Sequence, residues 1–457
     1  MPLFDLPTPL TPTEVQNFTI ALDNLQGNLL KSHGRDRARH IFLSFTGSAV
    51  SIRQFLATMG VHHIVSANQQ IAQTLEHKAK GTNRMFEQVL LSADGYRYLG
   101  LSINGFDPLF QAGMKAAVGR LADPVPSSWQ QDFRGAIHAL VILANDDEDA
   151  LGDREDEIRT AVHPFAHVHV EPGEAIHNKD GNVIEHFGYV DGRSQPLFFQ
   201  TDVDAQPHSN WDPSAGPNHI LIRDPLGTSN NDCGSYFVFR KLEQNVSGFK
   251  QREQELAAAL KLPDADRERA GAMVVGRFED GTPVVLQKQD GLHSPVPNDF
   301  AYPAVDPNGD RCPFSSHIRK INPRGDSIAL GATLQAEKAH RIARRGMTYG
   351  GANGPLDNPA DNPTGGVGLL FQCCNQSLQN QFEFMQEKWA NNPNFARPAT
   401  GQDPVIGQSL AAFTPGQWPD PWDSSNRLSF DFRTFVTLLG GEYFFCPSIS
   451  FLKSLAG

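Results

Sequence analysis

The 457-residue sequence predicts an α+β fold, with two domains in which helices pack on antiparallel sheets. The chain is longer than a single compact domain usually is. Short runs of strand-forming residues alternate with helical segments in both halves of the sequence. Residues 200–235, rich in Pro, Asn, Asp, Gly and Ser, separate these two series as a linker or long inter-domain loop. We therefore predict one domain over residues 1–225 and a second over residues 226–457.

The first half contains four predicted strands and two predicted helices. The strands are rich in β-branched and apolar residues, and they cover residues 38–45, 84–91, 136–144 and 168–171. A helix is expected over residues 51–59, after the first strand. A second helix is expected to begin in the acidic segment 146–157, because carboxylates are favourable near a helix N-terminus.

The second half repeats this order of elements without repeating the sequence. We expect strands over residues 235–241, 272–278, 366–373 and 442–449, and a helix over residues 246–260. Residues 377–391 are expected to form another helix, because Leu378, Phe382, Met385 and Trp389 have the spacing of one helix face.

Composition and charge make several classes of function improbable. The chain has 39 basic and 51 acidic side chains and a net charge of −12, so attraction to nucleic acid or to an anionic membrane is not expected. No apolar stretch approaches the ~18 residues of a spanning helix. The N-terminal residues lack a basic and apolar secretory pattern, which favours a cytoplasmic protein or export by another route. The five cysteines form no CxxC pair.

Three segments place chemically capable side chains among turn-forming residues: 188–196, 312–324 and 341–350. Each one alone has an ordinary structural explanation, such as an Asp-Gly turn or a solvated helix end. A fourth group, His163, His167 and His169 with Glu171, raises the alternative of a zinc site. Pro164 interrupts a helix through the first two histidines, so a zinc hydrolase is the weaker hypothesis.

Taken together and in order, the three segments resemble the dye-decolourising peroxidases, a family of haem peroxidases. The GxxDG motif is present as Gly188, Asp191 and Gly192, and the HIRKxNPR segment as residues 317–324. An arginine-bearing IxRxGxxYG segment places Arg344 27 residues after His317. Further matches are GLLF at 368–371 and FFCPS at 444–448, so the resemblance covers nearly the whole chain.

The resemblance implies two ferredoxin-like domains, with haem b held mainly by the C-terminal one. It implies that His317 is the axial ligand of the haem iron. A carboxylate on the other imidazole nitrogen would push electron density towards the metal. The sequence leaves the identity of that carboxylate open: Asp431 is our first candidate, and Glu387 and Asp403 are the alternatives.

The resemblance also assigns residues to the opposite face of the haem. Asp191 would carry the proton of hydrogen peroxide from the inner to the departing oxygen, which implies a working range at lower pH than that of a histidine base. Arg344, with Arg345 as its rival, would stabilise the charge on that oxygen. Arg324 is expected to pair with a haem propionate.

Leu369 and Phe371 alternate on a strand and would form apolar walls over this face. Trp389 and Tyr349 match positions at which relatives relay electrons from bulky substrates. Alternatively, Trp389 is an ordinary residue of the hydrophobic core with no role in electron transfer.

The function implied is a peroxidase that reduces hydrogen peroxide through a ferryl intermediate and oxidises dyes, phenols and other small aromatic reductants. A haem carrier of the same fold is the alternative, which would need His317 but neither Asp191 nor Arg344. The expected partners are small molecules, with a homo-oligomer also possible.

Overall fold

The computed structural model describes residues 1–351, 353–410 and 412–456. Its strands alternate with helices along both halves of the chain, as the sequence predicts. The strands are β1 (Arg37–Phe45), β2 (Phe86–Ser92), β3 (Ala139–Ala144), β4 (Ala166–Glu174), β5 (Ile176–His177), β6 (Val183–Ile184), β7 (Ile222–Arg223), β8 (Cys233–Gln244), β9 (Ala343–Arg344), β10 (Met347–Tyr349), β11 (Gly368–Asn375), β12 (Gly416–Pro419), β13 (Arg427–Phe430) and β14 (Val436–Cys446).

Most helices are short, and four of those in the described ranges have 14 or 15 residues. The α-helices are α1 (Pro12–Asn17), α2 (Thr19–Asn24), α3 (Ala49–His62), α4 (Ala67–Lys80), α5 (Ala93–Tyr98), α6 (Pro108–Ala112), α7 (Val118–Leu121), α8 (Gln131–Arg134), α9 (Glu148–Val162), α10 (Gln200–Asp204), α11 (Val246–Ala259), α12 (Arg269–Val275), α13 (Tyr302–Val305), α14 (His317–Ile321), α15 (Leu334–Ala339), α16 (Phe382–Phe384) and α17 (Ile449–Ser454). A π-helical segment, Met385–Ala390, continues α16.

The main sheet is antiparallel and combines strands from both halves of the chain. Its order is β10-β11-β8-β14-β2-β3-β1-β4, with β7 paired to β8 and β9 paired to β11. Each half follows the strand–helix–strand–strand–helix–strand order of a ferredoxin-like unit. The two units join where Phe444 and Phe445 of β14 pair with Ser92 and Leu91 of β2. The predicted α+β class and antiparallel pairing are confirmed.

The two outer edges of this sheet also approach each other. The hydroxyl of Thr348 on β10 donates a hydrogen bond to the carbonyl of Glu174 on β4. The sheet therefore curves back on itself, and the division of the chain at residues 225 and 226 stays a prediction, because the strands of the two halves form one surface.

Three predicted elements differ in the structure. In the segment 272–278, predicted as a strand, residues 272–275 are the end of helix α12, and every residue of that helix is buried. A short apolar run has no polar face to show its period, so a buried helix and a buried strand look alike in sequence. The last strand ends at Cys446, and Ile449 begins α17. Between 200 and 235, the predicted linker contains α10 and β7, and its Trp211, Ile220 and Leu221 are buried.

The predicted helix over 377–391 is realised as α16 and the π-helical segment that follows it. Leu378, Phe382, Met385 and Trp389 are all buried, as the helical spacing predicts. Within the described ranges, the search for a helix long and apolar enough to cross a membrane finds none.

Candidate active site

A large cavity opens against the second-half strands of the main sheet. It encloses about 1570 Å³ including its open mouth. Its walls come from the ends of β8, β11 and β14, from α14, from the π-helical segment and from the loop that follows β6. Apolar side chains form most of these walls, among them Val275, Ile318, Leu369, Phe371, Met385, Val405, Ile406 and Leu438.

His317 stands at the first residue of α14 and faces this cavity. Its Nδ1 lies 2.9 Å from Oδ2 of Asp403, whose side chain is completely buried. The other oxygen of Asp403 accepts backbone N–H groups from Val405 and Ile406 at 2.8 and 3.0 Å. Because a carboxylate only accepts, Nδ1 carries the proton and Nε2 keeps a free lone pair on the cavity side.

The prediction that Asp431 supports His317 is wrong. Its carboxylate accepts from Arg433 Nε at 2.6 Å, and its backbone carbonyl accepts from Arg252. Glu387 pairs with its neighbour Lys388. Asp403, the last of the three candidates, occupies the position, 86 residues along the chain from His317. Such a separation gives no local pattern, so sequence periodicity could not rank the three carboxylates.

Asp191 and Arg344 form an ion pair on another wall of the same cavity. Arg344 Nη1 donates to Asp191 Oδ1 at 2.5 Å, and its Nη2 donates to the carbonyl of Arg193 at 3.1 Å. Strand β9 positions the arginine, and its backbone N–H donates to Gln195 Oε1 at 3.0 Å. The structure therefore brings together the two residues that the resemblance had placed on one face.

The turn that carries Asp191 depends on glycine at Gly188. Its φ of +99° is unfavourable for other residues, and a Cβ there would lie 2.8 Å from Pro355 Cγ. Burial acts to raise the pKa of Asp191, but the charge of Arg344, hydrogen bonds from Gly192 and Arg344, and the nearby His317 outweigh it, so the pKa is lowered. Asp191 is therefore ionised over the neutral and mildly acidic range.

The rival arginine, Arg345, does not line the cavity. It is buried, and its guanidinium donates to the backbone carbonyls of Asn28, at 2.7 Å from Nε, and of Leu29. Leu369 and Phe371 do line the cavity. They lie on β11 with one residue between them, as the predicted alternation requires.

The pairing of Arg324 with a haem propionate stays a prediction. Its side chain is fully buried, and its guanidinium donates to the carbonyls of Asn298 and Phe300 and to the hydroxyl of Ser194. Arg324 is not among the residues that line the cavity, although its partner Ser194 is. The loop around Asn298 sets the direction of its side chain.

Two other buried arginines, Arg277 and Arg341, line the cavity, and neither was assigned a role from the sequence. Burial lowers the pKa of Arg277 and of Arg341 to about 10. Their hydrogen bonds go to backbone carbonyls and to the amide oxygen of Asn298, and Nε of Arg277 has no partner in the described ranges. Arg277 lies outside the three segments identified from the sequence, and Arg341 begins the segment 341–350 but was given no role, so sequence reasoning missed this positive end of the cavity.

Glu185 is a further lining residue that the sequence did not indicate. Its carboxylate accepts the N–H groups of Phe187 and Tyr189 at 2.9 and 3.0 Å, and the amide of Gln244 also donates to it. Burial raises its pKa to about 7. Glu185 therefore shapes the turn that leads to Asp191.

Trp389 and Tyr349 are both buried. The ring of Trp389 is stacked on Phe395 with centroids 5.3 Å apart and meets the half-buried His340 edge-on at 5.5 Å. The hydroxyl of Tyr349 has no hydrogen-bond partner among the described residues, and Lys241 Nζ lies 4.8 Å from its ring centre. Burial raises the pKa of Tyr349. Neither aromatic is at the surface, so their role as relays stays a prediction.

The histidine cluster of the zinc hypothesis does not converge. His163 and His167 are exposed, and His169 Nε2 lies 2.6 Å from Glu171 Oε1. Over the ranges 1–351, 353–410 and 412–456, no group of three or more His, Cys, Asp or Glu side chains could hold a metal ion.

The donor set of the cavity fits haem. An imidazole with a free Nε2 and a carboxylate on Nδ1 is a suitable iron ligand, the apolar walls suit a planar macrocycle, and buried arginines suit its carboxylates. A carboxylate–guanidinium pair on another wall is suited to peroxide chemistry. Fold and site together define the class of haem-dependent peroxidases with an α+β sheet.

Comparisons with known proteins agree with this class. The family model of the DyP dimeric alpha+beta barrel domain matches residues 24–175. The chain is 44% identical to the multifunctional dye peroxidase DyP2 of Amycolatopsis sp., over 95% of this chain and 96% of that protein. It is 31% identical to the dye-decolorizing peroxidase msp1 of Mycetinis scorodonius, over 95% and 87%. The crystal structure of a DyP-type peroxidase of Anabaena sp. superposes with a TM-score of 0.92 at 39% identity, covering 99% of both chains.

The chain belongs to the dye-decolourising peroxidase family, whose members are haem-dependent oxidoreductases. The family resemblance, the ferredoxin-like α+β fold and the peroxidase class are thereby confirmed. The haem-carrier alternative is not favoured, because the relatives are named peroxidases.

Proposed function

We propose that this chain binds haem b through His317, reduces hydrogen peroxide, and oxidises dyes, phenols and other small aromatic reductants. The single observation that supports it most is the free Nε2 of His317, held by Asp403, facing a cavity that Asp191 and Arg344 also line. A neighbouring structure is a dye-decolorizing peroxidase in complex with 2,6-dimethoxyphenol, and a phenol of this kind suits the proposed reductant.

The residues that would hold the cofactor are His317 on the iron, Arg277 and Arg341 near the propionates, and Leu369 and Phe371 against the ring. When bound, haem iron supplies two-electron oxidation by peroxide and one-electron oxidation of the reductant. Asp403 keeps the proton of His317 on Nδ1, which orients the ring and raises the basicity of Nε2.

Asp191 and Arg344 would act on the peroxide itself. Asp191, ionised before peroxide arrives, accepts a proton from one peroxide oxygen and returns it to the departing oxygen, which leaves as water. Arg344 provides a fixed positive charge beside this path and stabilises negative charge on the departing oxygen. Leu369 and Phe371 leave little polar surface there for competing water.

A bulky dye would deliver its electrons from outside the cavity. Trp389 is the better candidate relay, because Met385 and Gln386 of the same π-helical segment line the cavity while His340 covers Trp389 on the outer side. Tyr349 is the poorer one, since its hydroxyl has no partner in the described part of the chain to accept its proton on oxidation.

The proposal is tested by visible spectra of the wild type and of His317→Ala, reconstituted with haem, before and after stoichiometric peroxide. The wild type should show a Soret band that shifts within seconds, and His317→Ala should lose the wild-type spectrum and peroxide-dependent turnover. A Soret band that peroxide does not change would favour a haem carrier. A variant indistinguishable from the wild type would remove His317 as the ligand.

A further inference from the structure

We propose that Lys320 is a positioning residue that holds Asp403 against the imidazole of His317. This inference rests on the proposed role of His317 as the haem ligand. It assigns a role to a side chain that touches neither the cavity nor the imidazole.

Lys320 lies on the same short helix as His317, three residues further on. Its side chain is completely buried. The ammonium donates one hydrogen bond to the carbonyl of Phe395 at 2.5 Å and another to the carbonyl of Gly401 at 2.7 Å. Lys320 therefore connects α14 to a loop more than 70 residues away in sequence.

This loop carries Asp403. It leaves the π-helical segment at Ala390 and returns to it where the Asp403 N–H donates to the Ala390 carbonyl at 2.9 Å. Phe395 and Gly401 lie within this excursion, and Gly401 is two residues before Asp403. By donating hydrogen bonds to both carbonyls, Lys320 connects the loop between Ala390 and Asp403 to the helix that begins with His317. The 2.9 Å contact between Asp403 and His317 is therefore a second connection between this loop and α14, beside the hydrogen bonds of Lys320.

The surroundings of Lys320 support the same role. In the described ranges no carboxylate lies within ion-pair distance of its ammonium, and its hydrogen bonds go to neutral carbonyls. The polar contacts of its ammonium are therefore with the loop that carries Asp403. Burial lowers the pKa of Lys320 to about 7, and the charge of Asp403 acts in the opposite direction.

The experiment compares four variants reconstituted with haem: Lys320→Met, Lys320→Gln, Asp403→Asn and the double variant Lys320→Met/Asp403→Asn. The readouts are the Fe(III)/Fe(II) midpoint potential and the iron–imidazole stretching frequency of the ferrous protein. Both report how strongly Nδ1 is hydrogen-bonded. Lys241→Met is the matched control, because Lys241 is also buried and hydrogen-bonded, to Glu171 and Gln130, away from His317.

Lys320→Met should raise the potential and lower the stretching frequency, in the same direction as Asp403→Asn. Its reaction with peroxide should slow by about tenfold to one hundredfold, the range for a residue behind a metal ligand. Lys320→Gln, which can still donate to the two carbonyls, should recover part of the shift. In the Asp403→Asn background, Lys320→Met should add little, because both act through one carboxylate. Lys241→Met should leave potential and frequency unchanged.

Two results would overturn the inference. One is a Lys320→Met protein whose potential and frequency match the wild type while Asp403→Asn shifts both. The other is a Lys320→Met shift of equal size with and without Asp403. If Lys320→Met does not fold, Lys320→Gln decides in the same two backgrounds. A wild type that binds no haem would refute the proposed function itself, which is a different outcome.

Discussion

Two aspartates each contact a cationic or proton-bearing side chain that lines the cavity, and their surroundings differ. Asp403 meets His317 at 2.9 Å with its side chain fully buried, whereas Asp191 meets Arg344 at 2.5 Å with 26% of its side chain exposed. The second carboxylate oxygen of Asp403 accepts hydrogen bonds from two backbone N–H groups. The hydrogen bonds that the Asp191 carboxylate accepts, from Gly192 N–H and Arg344 Nη1, both reach Oδ1, and Oδ2 accepts none in the described ranges.

Because of this difference, one carboxylate is suited to orienting the imidazole of His317 and the other to exchanging protons. Asp403 has both oxygens occupied and no access to solvent, so it is suited to fixing a ring and its tautomer. Asp191 keeps one oxygen free on a turn at the cavity wall, so a proton can arrive and leave. Aspartate thus has two different roles at this site. The backbone hydrogen bonds that each carboxylate accepts determine whether it orients a ring or exchanges a proton.

The sharpest test of the comparison makes the same substitution at both sites. Asp191→Asn should slow the reaction with peroxide by about 10²–10⁴-fold, because an amide cannot accept the proton. The resting spectrum should stay close to that of the wild type, since His317 is untouched. Stopped-flow spectroscopy at saturating haem measures both quantities.

Asp403→Asn should behave in the opposite manner. We expect a changed resting spectrum and potential, because Nδ1 loses its anionic partner, with a smaller loss of rate of about 10–100-fold. The division between the two aspartates would be refuted by a larger rate loss at Asp403 than at Asp191, or by an altered resting spectrum in Asp191→Asn alone.

A second test changes the partner of Asp191. Arg344 helps to lower the pKa of Asp191, so in Arg344→Leu that pKa should rise. Because only the ionised carboxylate accepts a proton, the acid limb of the rate of reaction with peroxide should move to higher pH. The measurement is the pH profile of the second-order rate constant, with Arg345→Leu as the control for a neighbouring arginine outside the cavity. An acid limb at the wild-type pH would show that Arg344 does not set this titration.

The smallest expected effect concerns Trp389, which belongs neither to the Asp403–His317 pair nor to the Asp191–Arg344 pair. Trp389→Phe should lower the turnover of a bulky anthraquinone dye severalfold and leave the reaction with peroxide unchanged, because the chemistry at Asp191 and His317 does not involve it. Trp418→Phe is a matched control, since Trp418 is also buried but packs in another cluster. Unchanged dye turnover in Trp389→Phe would leave Trp389 as a core residue.

The contrast between the aspartates also shows how far sequence reasoning reached. Asp191 and Arg344 were identified because each lies in a short motif of the family that the chain resembles. Asp403 ranked behind Asp431, because a hydrogen bond between residues 86 positions apart leaves no local pattern. Arg277 was missed for the same reason, and Arg341 was given no role although it begins the segment 341–350. The role of Arg324, taken from its motif, stays a prediction.

The sequence by itself determined the α+β class, the order of strands and helices in each half, and the segments that hold His317, Asp191 and Arg344. The class and the order of elements depend on periodicity and turn chemistry within a few residues. The three segments were recognised because short motifs of the resembled family follow one another in order. Only the tertiary structure decided that residues 272–275 belong to a helix, that β14 and β2 join the two halves, and that Asp403 supports His317. Burial and long-range hydrogen bonds settle such choices, and they exist only once distant segments have packed together.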